Sequence, residues 1–312
     1  MSDTLDQAHA RRLRRIRCVT TAAPDLEVFI RAYTVGLGYR LREQGAVSPA
    51  LASAWGAPAA AGRRHALLSP DNAPDVFVRV VESTPVPGYR PLLSFGWNAF
   101  EIVVDDVHVV RRRLEGGPFH LIGEPRPLSA RPSVYAMQVI GPGAEVLYLT
   151  AETGDRGASP LPAPGGPIGR LFIVVLGGPD IVAIRDFYAD RFDLQPNPIR
   201  ASWGQTVQRA WGGTDDGTHP ISLLRLGEHG NSIELNGYVK PGLAARKCID
   251  GELPPGNAIA TFAVPRLDGL GLDFLDPPAV HESRLYAGAR SATFIGPAGE
   301  RVELVEEQRA VA

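Results

Sequence analysis

The feature that most constrains this chain is that its sequence repeats itself at a nearly constant spacing. Tyr33 and Tyr188 lie about 155 positions apart, and other residue pairs follow in the same order. Because an ordered set of matches at one spacing rarely arises by chance, the sequence predicts that one structural unit occurs twice. The other pairs are Pro24 with Pro179, Asp25 with Asp180, Gly141 with Gly296, Pro142 with Pro297, Glu145 with Glu300 and Leu149 with Leu304, and, at a slightly larger spacing, Asn98 with Asn257 and Ala99 with Ala258.

The segment between the two copies has the composition of a linker. Residues 154–167 (GDRGASPLPAPGGP) are rich in glycine and proline and show no apolar periodicity. We therefore predict a first domain at 1–153 and a second at 168–312. We expect each half to form its own sheet, so that strands 171–176 and 301–305 lie together.

Within each half, a strand, a helix and further strands follow one another, and this order occurs twice. In the first half, Pro24 and Asp25 begin a helix that Leu26, Phe29 and Tyr33 continue at helical spacing. The 34 glycines and 28 prolines favour short strands and turns over a helix bundle. The chain is therefore predicted to contain four βαβββ units.

The motifs of these units resemble the vicinal oxygen chelate superfamily, which includes glyoxalases, bleomycin-resistance proteins and extradiol dioxygenases. The resemblance covers residues 15–306. It implies an α+β fold in which the four βαβββ units pair into two cupped mixed β-sheets with helices outside. It rests on Cys18-Val19-Thr20, Pro24-Asp25-Leu26, Ala32-Tyr33, Leu37-Gly38-Tyr39, Asp186-Phe187-Tyr188, the run from Phe100 to Asp106 and the run from Gly296 to Leu304.

The resemblance also implies where metal ligands would lie, on the first strand of each unit and on a last strand. Because aliphatic side chains cannot bind a metal, we expect no iron or zinc and no cofactor. Glu234 and Glu303 with water could bind Mg²⁺ or Mn²⁺ weakly. The implied positions are Ile173, Glu234, Ile259 (or Ala258) and Glu303 in the second half, and Cys18, Val78 or Arg79, Ala99 and Tyr148 in the first.

Glu303 and Glu234 are the candidate catalytic residues. Strand alternation places both on the concave face of the second half, beside Ile173 and Ile259. Burial and mutual repulsion would raise the pKa of a carboxyl group there, so Glu303 could act as a base and Glu234 as its partner acid. We expect Glu303→Gln to abolish activity without unfolding the protein.

Five further residues are candidates for substrate binding, because parity or loop position directs them towards a concave face. The cup of the first half could bind a small polar aromatic molecule or could be an inert, filled core. The candidates are Asn236, His281, Tyr148, Glu101 and Arg79.

Three functions remain open from the sequence. The first is an isomerase or lyase that moves a proton next to a carbonyl group of a small oxygenated organic molecule. The second is a protein that binds and sequesters such a molecule without catalysis, as in the bleomycin-resistance branch. The third is an extradiol-type dioxygenase with unusual ligands.

Charge and composition exclude other classes of function. With 34 acidic and 32 basic residues, the chain has a net charge of -2. It therefore lacks the net positive charge that would attract nucleic acid or an anionic membrane. Two cysteines cannot form a disulfide scaffold. No apolar run approaches the roughly 20 residues of a membrane span, and no secretory signal is evident. We expect a cytoplasmic monomer or homodimer that binds a small molecule.

Overall fold

Sixteen strands in four successive groups of four form the frame of the computed structural model, which describes residues 12–214 and 216–307. Each group corresponds to one predicted unit. The first unit contains β1 (Arg15–Ala23), β2 (Arg40–Ala46), β3 (Arg64–Ser69) and β4 (Phe77–Glu82), and the second β5 (Gly96–Val104), β6 (His120–Leu128), β7 (Arg131–Ile140) and β8 (Val146–Glu152). The third contains β9 (Ile168–Gly178), β10 (Arg200–Trp203), β11 (Thr218–Arg225) and β12 (Ser232–Gly237), and the fourth β13 (Gly256–Val264), β14 (Ala279–Val280), β15 (Arg290–Ile295) and β16 (Arg301–Glu306).

In the first three units, a helix follows the first strand, and an aspartate begins each of these helices. The side chains of Asp25, Asp106 and Asp180 accept hydrogen bonds from backbone N–H groups of the first turn, which satisfies donors that the helix itself leaves unpaired. In the fourth unit, turns with Gly269 and Gly271 at positive φ take the place of the helix. The helices are α1 (Leu26–Arg31, continued by a π-helix at Ala32–Gly36), α2 (Pro49–Ala54), α3 (Val107–Leu114), α4 (Ile181–Phe192) and α5 (Gln205–Ala210). None of the helices in the described ranges has the length and apolar character needed to cross a bilayer.

The strands form two mixed sheets, and each sheet takes one unit from each half of the chain. Sheet 1 has the order β14-β15-β16-β13-β1-β4-β3-β2, and sheet 2 has the order β10-β11-β12-β9-β5-β8-β7-β6. The two-sheet α+β fold class is thereby confirmed. The expectation that each half forms its own sheet is wrong, because residues 171–176 lie in sheet 2 and residues 301–305 in sheet 1.

The units are joined to each other through their first strands. β1 pairs antiparallel with β13, and β5 pairs antiparallel with β9, so the first unit joins the fourth and the second joins the third. The convex sides of both sheets contribute to one buried apolar cluster that includes Val19 and Phe262 of sheet 1 and Phe100 and Val174 of sheet 2. The domain boundary at 154–167 stays a prediction, since this pairing does not test where one copy ends.

The repeated residues form two equivalent links between the sheets. The Tyr33 hydroxyl, after β1 in sheet 1, donates to Glu145, just before β8 in sheet 2, at 3.0 Å. Likewise, Tyr188, after β9 in sheet 2, donates to Glu300, just before β16 in sheet 1, at 2.6 Å. Burial raises the pKa of Glu145 to about 8 and that of Glu300 to about 7. The strongest sequence signal therefore marks structural contacts.

Candidate functional site

Each sheet presents a concave face, here called cup 1 for sheet 1 and cup 2 for sheet 2. The strand registers show which residues occupy equivalent positions in the two cups. In sheet 1, Thr20 pairs with Arg79 and Thr261 with Glu303, whereas in sheet 2 Val175 pairs with Glu234 and Glu101 with Tyr148. Arg79 is thus the counterpart of Glu234, and Glu303 is the counterpart of Tyr148.

Cup 1 contains Glu303, and this carboxylate is fully engaged by the protein. Its side chain is 1 % exposed and accepts a hydrogen bond from Trp55 Nε1 at 2.8 Å. It also accepts from the Thr261 hydroxyl at 2.6 Å and from the Tyr286 hydroxyl at 2.7 Å. The Arg79 Nη2 atom completes the set at 2.9 Å. All the donors are groups of the chain itself.

Arg79 is held as tightly as its partner. Its guanidinium donates to Thr20 at 2.8 Å and to Tyr286 at 2.9 Å, and it lies 4.4 Å from the centre of the Trp55 ring. A buried pair is stable only when further hydrogen bonds satisfy both charges, as they do here. The concave face of sheet 1 is therefore occupied by a structural network.

The proposed pairing of Glu303 with Glu234 is wrong, because the two residues lie in different sheets. Burial acts to raise the pKa of Glu303, but the Arg79 charge and the hydrogen bonds from Thr261, Trp55 and Tyr286 hold it below its ordinary value. The premise that repulsion raises this pKa is contradicted, and so is the suggestion that Glu234 and Glu303 hold one metal ion.

His281 and Arg79, two of the predicted substrate-binding residues, also lie on the cup 1 side. The buried His281 ring lies 5.6 Å from the Tyr286 ring, and burial lowers the pKa of His281. Arg79 is buried and donates to Glu303, so it lies inside this network and not on an open surface.

Cup 2 contains a cavity of about 520 Å³. It is lined by Glu101, Tyr148, Glu234 and Asn236, four of the seven predicted site residues. The structure thus brings together carboxyl groups from both halves of the chain, which the sequence analysis had assigned to separate sites. The cavity is also lined by residues that the sequence analysis missed: His219, Gln138, Thr206 and Trp203.

Two carboxyl groups lie within the cavity and influence each other. Burial and the charge of Glu234 raise the pKa of Glu101 to about 8, although the Thr150 hydroxyl donates to Glu101 at 2.9 Å. Burial also raises the pKa of Glu234, against a hydrogen bond from Asn236. Each carboxyl group therefore holds its proton to a higher pH than a carboxyl group in water does.

A hydrogen-bonded chain orients Glu234. Asn236 Nδ2 donates to Glu234 Oε1 at 2.8 Å, so Asn236 Oδ1 is left to accept from His219 Nε2. This network assigns the proton of the His219 ring to Nε2, and its Nδ1 is buried without a hydrogen-bond partner in the described structure. Burial lowers the pKa of His219, so the ring is neutral. His219 belongs to no spaced motif in the sequence, so no sequence signal marked it as a site residue.

One wall of the cavity forms where α5 meets the β6–β7 hairpin. The Thr206 hydroxyl donates to Gln138 Oε1 at 2.9 Å across this junction. A Cβ atom at Gly123 would lie only 1.9 Å from that Gln138 oxygen, so a side chain here would displace Gln138 and disturb its bond to Thr206. At the mouth, Trp203 on β10 and Leu128 on β6 are 48% and 45% exposed.

The side chains of cup 2 do not fit the metal-ligand set that the family resemblance implies. No group of three or more His, Cys, Asp or Glu side chains in residues 12–214 and 216–307 is arranged to hold a metal ion. The first-strand position facing Glu101 is the aliphatic Ile173. The expectation of no cofactor stays a prediction.

No family model and no curated protein matches the sequence. Solved structures match in fold. Glyoxalase I from Zea mays is 18% identical, with a TM-score of 0.61 over 94% of this chain and 92% of that chain. A proposed dioxygenase from Bacillus subtilis is 13% identical, with a TM-score of 0.63 over 95% of this chain and 86% of that chain. At these identities, the similarity establishes the fold and leaves the reaction open.

Proposed function

The chain has the fold of the vicinal oxygen chelate superfamily, and we propose that it is an enzyme that transfers a proton on a small oxygenated organic molecule bound in cup 2. The reaction class is isomerase or lyase. The observation that carries the proposal is that Glu101 and Glu234 line one cavity large enough for a small molecule, where loss of solvent raises the pKa of both. Strongly perturbed groups in a cleft are typical of active sites. The cytoplasmic location and the state of monomer or homodimer stay predictions.

In this proposal, Glu234 is the base and Glu101 is the acid. Glu234 removes a proton from the carbon next to a carbonyl group, and Glu101 gives its own proton to the carbonyl oxygen, so that an enol forms. Glu234 then gives its proton to a different carbon of the enol while Glu101 takes a proton from an enol hydroxyl, which completes an isomerisation and restores both side chains. Such acid–base catalysis contributes roughly 10²–10⁴-fold to a rate.

Two neighbours support these roles. Asn236 fixes one oxygen of Glu234 and leaves the other for the substrate. Burial raises the pKa of Tyr148 well above its ordinary value, so its hydroxyl stays protonated. Tyr148 can therefore donate a hydrogen bond to an oxygen on which negative charge develops.

The proposal is tested by exchange of carbon-bound protons for deuterium in D₂O, followed by NMR for a panel of small hydroxy ketones and amino ketones. We expect exchange with at least one compound and a loss of 10²-fold or more in Glu234→Gln. Glu115→Gln, which neutralises an exposed carboxylate at the end of α3, is the matched control and should retain the full rate.

Two results would contradict the proposal. One is full exchange activity in Glu234→Gln. The other is tight binding of a compound that never exchanges in the presence of the protein, which would support the alternative of a non-catalytic binding protein.

A further inference from the structure

The two cups differ in the charge at one equivalent position. Cup 1 carries Arg79 where cup 2 carries Glu234, as the strand registers show. In cup 1 this arginine neutralises Glu303 at 2.9 Å. Cup 2 therefore has acidic groups but no counterpart of Arg79 to pair with them.

No cation of the described chain takes that role in cup 2. No ion pair joins Glu101 or Glu234 to a described lysine or arginine. Their hydrogen bonds come from the neutral Thr150 and Asn236. Arg126 is the one arginine or lysine among the described lining residues, and it is exposed at the mouth. Glu101 and Glu234 are therefore met by neutral donors only, and a negative charge held away from water without a cationic partner is costly.

We propose that the molecule bound in cup 2 brings this missing charge, as an ammonium group at the end that enters the cavity. This inference rests on the proposed function, because it names the substrate class of the same site. An ammonium group supplies both a positive charge and N–H donors, which carboxylate oxygens accept in strong hydrogen bonds. A carboxylate or phosphate at the same end would be repelled.

The residues at the mouth of the cavity indicate the chemical character of the outer part of the ligand. Trp203 and Leu128 expose apolar surface on β10 and β6, the two edge strands of sheet 2. An aromatic ring or another flat apolar group can pack against them and be removed from water. The ligand class is thus an amine-bearing oxygenated compound with an apolar outer part.

Three probes that share one ring system test the charge preference: 2-naphthylmethylammonium, 2-naphthylmethanol and 2-naphthoate. Calorimetry at pH 7 should show that the ammonium binds at least ten-fold tighter than the alcohol, and that the carboxylate binds most weakly. Equal affinity of the carboxylate and the ammonium would overturn the inference.

Four variants test which residues cause the preference for the ammonium probe. Glu234→Gln should bring the affinity ratio of ammonium to alcohol close to one, and Glu101→Gln is a second variant in case the first fails to fold. Trp203→Ala should weaken both probes by a similar factor, and Glu115→Gln should leave the ratio unchanged. A ratio that survives in both carboxyl variants would overturn the inference. So would stoichiometric Mn²⁺ binding that displaces the ammonium probe, because the missing cation would then be a metal.

The two proposals fail in different ways. Charge-selective binding without proton exchange on any compound supports this inference and contradicts the proposed enzyme. Exchange on neutral ketones, without any preference for the ammonium probe, supports the enzyme and contradicts this inference.

Discussion

Replacing Glu303 by glutamine is expected to destabilise the protein by about 3–5 kcal/mol, because the change leaves a buried guanidinium without its counter-charge. Arg79 is 2 % exposed and its remaining partners, Thr20 and Tyr286, are neutral. The glutamine amide would also direct N–H groups at donors, since all four partners of Glu303 donate. At about 2 °C per kcal/mol for a chain of this size, the melting temperature should fall by about 6–10 °C.

Urea unfolding followed by circular dichroism measures this loss, and two comparisons isolate its cause. Glu234→Gln removes a half-buried carboxylate that repels Glu101 and forms no ion pair with a described lysine or arginine, so the free energy of unfolding of this variant should change by less than about 1 kcal/mol. Combining Arg79→Met with Glu303→Gln should cost less than the two single changes together, because the double variant leaves no unpaired charge.

An acid-dependent contribution of Glu303 to stability is expected as well. The pKa of Glu303 is lowered in the folded state, so its stabilisation is present above the ordinary pKa of a glutamate and is lost as the pH falls through the folded value. Wild-type-like unfolding of Glu303→Gln at pH 7, within 0.5 kcal/mol, would refute the structural role of this network.

Three further outcomes follow from other parts of the structure. Tyr33→Phe leaves the buried Glu145 oxygen with one hydrogen-bond donor fewer and should lower the free energy of unfolding in urea by about 1–3 kcal/mol. An unchanged midpoint of the urea transition would show that this link is dispensable. Because burial raises the pKa of Glu145 to about 8, its stabilising protonated state is lost as the pH rises through that value. The stabilisation is lost progressively from the ordinary pKa of a glutamate up to about 8, so the melting temperature should fall between about pH 5 and 8, and less steeply in Glu145→Gln. Gly123→Ala places a methyl group on Gln138 and should reduce binding of 2-naphthylmethanol at least ten-fold in calorimetry, with an unchanged affinity as the contrary result.

The order of strands and helices in the first three units could be predicted from local signals, and the family resemblance implied the fold class. Apolar alternation and the aspartate before α1 and α4 are local signals, and the structure contains the elements that they predict. Alternation also places Glu234 and Asn236 on the same face of β12, where both line the cavity.

The pairing of the units could not be predicted in this way. The four units resemble one another, so the first strand of one unit can in principle pair with that of any other. The choice of β13 as the partner of β1 depends on long-range packing that no local pattern contains. Since the candidate site is built from two units, an error in pairing places Glu303 beside Glu234 and separates Glu234 from Glu101.

Because each sheet takes one unit from each half, the two halves of this chain are arranged like the two subunits of a dimer. Each sheet is an interface between two halves that, as separate molecules, would meet only by diffusion. Joining them along one chain replaces that encounter by an intramolecular one with a high effective concentration. The integrity of the cavity therefore does not depend on how much protein the cell contains. The two halves are also free to diverge, because a charge such as Arg79 can be placed in one cup and omitted from the other, which a symmetric dimer of identical chains cannot do.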